Sequence, residues 1–69
     1  MEPNEIFALI VKADEALKYA TEDKAAVRAT QARTLLSTAL EQARAIGNDA
    51  LVAQAQTRLA DLDAAASDG

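Results

Sequence analysis

Apolar and polar positions follow a helical period from end to end of this chain, and three amphipathic stretches carry the pattern. The longest runs from Thr21 to Gly47. Within it Ala25, Ala29, Ala32, Leu36, Ala39, Ala43 and Ile46 alternate spacings of four and three, which sets all seven on one face of a helix. Five of the seven are alanine, so another helix backbone can approach toward the short end of the roughly 8–10 Å interaxial range. Leu35 and Leu40 flank this seam, one on each side, and widen it enough to touch two neighbours. Arg28, Gln31, Thr34, Thr38 and Glu41 cover the outer side.

The stretch before it predicts a helix over residues 3–20. Pro3 suits a first helical position, where its missing N–H costs nothing, and Glu5 stands at the positive helix end. The main stripe is Ile6, Ile10, Ala13, Leu17 and Ala20, flanked by Leu9 and Ala16. Phe7 and Val11 lie further round, on the side of Asp14 and Lys18, so the first half of this helix is apolar over more of its circumference than one stripe requires. Neither Gly nor Pro marks the boundary near residue 21. A break is favoured because Thr21 is an acceptable N-cap followed by Glu22 and Asp23, and because the stripe changes phase: continuing it would place Lys24 in the core. The alternative is one unbroken helix from Pro3 to Ile46.

The second helix is expected over 22–46. Gly47 can end it in the left-handed conformation, with Arg44 favourable at its negative end, and Asn48 can cap the next. So short a link folds the third helix, over 49–65, back antiparallel on the second. It presents Leu51, Ala55, Leu59 and Leu62, with Val52 and Ala66 at the margins. Beyond Leu62 the chain has little to bury, and 67–69 are expected to form a flexible end to a single domain over 1–66. The fold class is all-α: an antiparallel three-helix bundle or a fragment of a helical repeat.

Composition narrows the chemistry. Sixty-nine residues support one small domain with a thin stability margin. Cysteine and histidine are both absent, which removes the disulfide, the thiolate, the usual zinc ligands and the usual general base. Seven basic residues, spread singly, against eleven acidic ones give a net charge of −4, and no concentrated basic face exists for nucleic acid. The longest apolar run, Phe7 to Val11, is far too short to span a membrane or to form a convincing signal-peptide core. A soluble, cytoplasmic protein is the expectation.

Shifting the chain by forty-two residues aligns Leu9 with Leu51, Ile10 with Val52, Ala13 with Ala55, Leu17 with Leu59 and Ala20 with Leu62. Chance accounts for such a match as well as a repeat does. The run Ala39-Leu40, Ala43-Arg44, Ile46-Gly47-Asn48, then Ala53, Ala55 and Leu59-Ala60 resembles the tetratricopeptide repeat. Ala32, Leu36 and Ala39 are similar to the small-large-small triad of that family's second helix. The tryptophan or glycine expected at the start of the first helix is missing, and Asn48 stands for the more usual aspartate. The resemblance implies about one and a half repeats and a concave groove that binds peptides or proteins. Its candidate lining here is Gln54, Arg58 and Asp61.

No catalytic set emerges. Asp61 and Asp63 are two apart on a helix and do not face each other, and an alanine-packed bundle leaves little room for a ligand cavity of about 300 Å³ or more. Metal, cofactor and small-molecule substrate are not expected, because no loop clusters oxygen ligands and the Asn48-Asp49 pair is explained by capping. The function expected is protein–protein interaction without enzymatic activity. The apolar side of the first helix (Phe7, Leu9, Ile10 and Val11) would bind a second copy or a partner helix or peptide. The alternative is a small helical accessory or regulatory protein with no groove of its own.

Overall fold

The computed structural model describes residues 1–67. Helix α1 spans Pro3–Lys18, α2 spans Ala25–Ala45 and α3 spans Asp49–Ser67, with a single 3₁₀ turn at Glu22–Lys24. The chain is all-α, as expected. Pro3 opens α1, and the Glu5 carboxylate reaches back to accept the Glu2 N–H at 3.0 Å, satisfying one of the orphan donors of the first turn.

The break between the first two helices is real. After Tyr19 donates to the Glu15 carbonyl, the chain extends at Thr21 (φ −95°, ψ 167°) and re-enters helical conformation through the 3₁₀ turn, where Lys24 N–H meets the Thr21 carbonyl at 3.0 Å. Thr21 occupies the N-cap position, yet its hydroxyl makes no cap bond. Helix α1 therefore stops at Lys18, two residues short of the expected end, and α2 proper begins at Ala25 instead of residue 22.

The second link is a Schellman turn. Gly47 takes φ +68°, its N–H bonds the Arg44 carbonyl at 3.1 Å, and the Asn48 N–H bonds the Ala43 carbonyl at 2.9 Å. Asn48 then caps α3, its Oδ1 accepting the Leu51 N–H at 3.1 Å. One residue thus finishes one helix and starts the next, which forces the antiparallel return. Helix α3 runs on to Ser67, past the expected end at residue 65. Of the flexible end expected over 67–69, Ser67 is still helical, and 68–69 lie outside the described residues.

The core is built from Ile6, Ile10 and Ala13 of α1, Ala32, Leu36, Ala39 and Ala43 of α2, and Leu51, Ala55 and Leu62 of α3. The middle of the alanine seam is therefore buried. Its ends are not: Ala25 is exposed and Ile46 is 40% exposed, because α2 outruns its neighbours there. Helix α2 packs against both others, whereas α1 and α3 touch each other sparingly. Three helices in full mutual contact would measure about 13–15 Å along one short direction and about 12–13 Å along the other, from the axis spacing, the height of the triangle it makes and two backbone radii. The α-carbon envelope is 36 × 20 × 13 Å. The molecule is accordingly a slab: α2 forms one side, and α1 and α3, running parallel, form the other.

Candidate interaction face

The side of the slab opposite α2 is where the exposed apolar residues of α1 meet the polar row of α3. Phe7 is 48% exposed and Val11 36%. They share a helical stripe with Asp14, and Asp14 is the residue that reaches across to α3. The Arg58 Nε donates to both Asp14 carboxylate oxygens, at 3.0 and 3.1 Å, while its Nη1 donates to the Gln54 carbonyl at 3.2 Å. This pair is an ion bridge between two helices that otherwise scarcely touch. It fixes their register, two turns beyond Phe7 on α1 and one turn beyond Gln54 on α3.

The four apolar residues expected to form the interface do not stay together. Ile10 is fully buried, because it lies on the same stripe as Ile6 and Ala13 and faces α2. It is a core residue and leaves the candidate surface. Leu9 is half-buried on the opposite flank and packs against the core. Phe7 and Val11 alone remain outward.

Of the three groove candidates, Arg58 and Asp61 line a shallow hollow of about 240 Å³ together with Asp14, Leu17, Leu62 and Ala65. Gln54 contributes only its carbonyl, through Arg58. Leu17, expected in the core stripe, is 37% exposed here, since α1 ends one residue later and α3 does not close over it. The hollow has both Asp14 and Asp61 in its lining, a juxtaposition that the spacing within α3 does not foretell. Asp14 is neutralised by Arg58, both carboxylates stand in water, and the floor between them is aliphatic. Asp14 and Leu17 were discernible as partners of this site only by setting the stripe of Phe7 against the row of Gln54 and Arg58, which requires knowing that α1 and α3 are parallel neighbours.

The outer face of α2 carries a feature that the sequence pattern does not display. Val27 is 57% exposed, and beside it Thr30 Oγ1 donates to the Ala26 carbonyl at 3.0 Å and Thr34 Oγ1 to the Thr30 carbonyl at 3.1 Å. With each hydroxyl folded onto its own helix, this strip is less polar than its composition reads. Depressions of about 380 and 310 Å³ lie along it, but α2 alone lines them, so they are concavities of an open surface and enclose nothing.

Among the described residues no group of His, Cys, Asp or Glu is arranged to hold a metal ion, no buried side-chain polar atom lacks a partner, and no helix is long and apolar enough to cross a membrane. Arg33 on α2 pairs with Asp63 on α3 at 2.6 Å, and neither residue lines the hollow. Compared with protein-family models, with curated proteins and with solved structures, the chain matches none of them.

Proposed function

We infer that this protein is a non-enzymatic interaction module whose working surface is the α1–α3 face. The observation that carries the reading is Phe7. A chain with one phenylalanine leaves nearly half of it in water, on a face that also holds Val11 and an aliphatic hollow, while half of its buried core residues are alanine. Single exposed apolar residues are ordinary. Three apolar features in line on one face, rimmed by charge, have the make-up of a contact surface with a polar border.

The size of the face sets the kind of complex. Helix α1 is about 24 Å long and the slab is 20 Å wide, which offers roughly 500 Å² per partner and about 1,000 Å² in a pair, at the lower edge of specific interfaces. The partner is therefore a single helix, a short peptide or another small domain, held transiently. The resemblance to tetratricopeptide repeats points the same way, since there too the first helices of successive repeats line the binding side. The test is affinity capture from the native cell with the wild type, Phe7→Glu, Arg58→Glu and, on the far side, Val27→Glu. Proteins lost with the first two and retained with the third are expected. Capture that survives Phe7→Glu overturns the assignment of the face.

A further inference from the structure

The α1–α3 face carries both a protrusion and a recess, and their placement is that of a surface that fits itself. Phe7 projects from the first third of α1, and the hollow floored by Leu17, Leu62 and Ala65 lies at the other end of the same face. The α1 wall of the hollow is Asp14 and Leu17, so its centre stands about 13 Å from Phe7 along the helix, at 1.5 Å per residue. Halfway between them is Val11, which is outward-facing and 36% exposed.

The geometry points to a second copy of this chain as the occupant, which rests on the reading of this face as the interaction surface. A two-fold axis at Val11, lying in the plane of the face and at right angles to α1, sets the α1 helices antiparallel across the contact. It places Phe7 of each copy over the hollow of the other and brings the two Val11 side chains together at the axis. An isologous contact needs this kind of self-complementarity, in which one residue meets a different one and the relation is returned. The recess is large enough. Apolar cavities of about 150 Å³ admit a benzene ring, and this one is about 240 Å³.

Charge opposes the pairing only weakly. The ionised side chains along the face are Asp14, Glu15 and Lys18 on α1 and Arg58 and Asp61 on α3, three carboxylates against two cations. Asp14 and Arg58 already neutralise each other, and the Lys18 ammonium lies 5.5 Å from the Tyr19 ring centroid. The net −4 of the whole chain repels a copy only weakly at physiological salt, where charges beyond about 8 Å are screened. The other wide face does not have these properties. Around Val27 and the two back-bonded threonines the depressions are lined by α2 alone and offer no walled recess for an aromatic ring.

The area of roughly 1,000 Å² per pair makes this a weak, concentration-dependent dimer dominated by one aromatic anchor. Sedimentation equilibrium from about 10 µM to about 1 mM brackets the range that such an interface supports. Phe7→Ala removes the protrusion and Ala65→Phe fills the recess. Each is expected to weaken association about tenfold or more, the loss typical of a hot-spot residue, with helicity by circular dichroism unchanged. Val27→Ala is expected to leave association unchanged.

Because the chain has a single phenylalanine, a mixture of differently isotope-labelled copies reports the geometry directly. Contacts from the Phe7 ring to the Leu17 and Leu62 methyls of the other copy are expected. A monomer persisting at about 1 mM, or a dimer indifferent to both Phe7→Ala and Ala65→Phe, overturns the proposal. If the monomer persists while Phe7→Glu still abolishes capture of a cellular protein, the interaction face stands and only the identity of its occupant falls. If both fail, the face itself is wrongly assigned.

Discussion

Leu36 gives the sharpest test of how this fold is held together. Among the described residues it is one of three large side chains that are fully buried, with Ile6 and Ile10, and its neighbours along α2 are Ala32, Ala39 and Ala43. Leu36→Ala deletes three carbons, a transfer loss of about 2.4 kcal/mol at about 0.8 kcal/mol per methylene. A further term, about 24 cal/mol for each Å³ of residual cavity, depends on how far the surroundings collapse. Collapse is limited here because alanine has no side-chain torsion with which to fill space. The expected loss is therefore about 4 kcal/mol, in the upper half of the range for such substitutions. Total stability for a chain of this size is about 3.5–10 kcal/mol, from roughly 0.05–0.15 kcal/mol per residue.

Urea unfolding followed by circular dichroism measures the loss, with Leu40→Ala as the comparison. Leu40 flanks the same seam but is only partly buried, so its truncation should cost less than half as much. Should Leu36→Ala already be unfolded in buffer, Leu36→Val supplies a milder step of about 1 kcal/mol, by analogy with other single-methylene losses. A loss below about 1.5 kcal/mol for Leu36→Ala, or one equal to that of Leu40→Ala, would refute the claim that the alanine seam is tightly closed around Leu36.

The turns and surface pairs give smaller, separable effects. Gly47→Ala adds a Cβ that meets nothing within 4 Å, so its expected cost of about 1–2 kcal/mol is conformational, set by φ +68°; a Tm equal to wild type would contradict it. Asn48→Ala removes the acceptor for the Leu51 N–H and should cost about 1 kcal/mol in a urea melt. Thr34→Val exchanges a back-bonded hydroxyl for a methyl on an exposed strip and should stay within about 0.5 kcal/mol of wild type; a larger loss would mean that the hydroxyl has an untraced role. Arg58→Gln breaks an exposed ion pair and should cost less than about 1 kcal/mol, shrinking further in high salt; a loss above about 2 kcal/mol would show that the bridge holds α1 to α3 energetically as well as in register.

What periodicity reads well is which residues of a helix share a face. Ala32, Leu36, Ala39 and Ala43 are the buried seam because spacings of three and four leave no other option once α2 has neighbours on two sides. What periodicity cannot read is how far a neighbour extends. Ala25 and Ile46 fit the same stripe and are exposed, and Leu17 is exposed for the same reason at the end of α1. The interface candidates on α1 divide on a related point. Phe7, Leu9, Ile10 and Val11 are nearly consecutive, so a helix must point them in different directions, and only a known partner position separates Ile10, facing α2, from Phe7, facing away.

The hollow was still less accessible to sequence reasoning, because it belongs to no single element. It exists because α1 and α3 are held by a common neighbour more firmly than by each other. The alanine seam produces that arrangement. By letting α1 and α3 each settle close to α2, it turns the third side of a would-be triangle into an open face. The same small residues that make the core thin thus leave that face open. The proposed interaction surface lies on the side opposite α2, so enlarging the seam should alter both together. Ala39→Leu would push α1 and α3 away from α2, costing about 1–3 kcal/mol by overpacking, and would reshape the hollow without touching any residue that lines it. Loss of association in that variant, with helicity retained, is the result this coupling requires. Unchanged association would show that seam and face are independent.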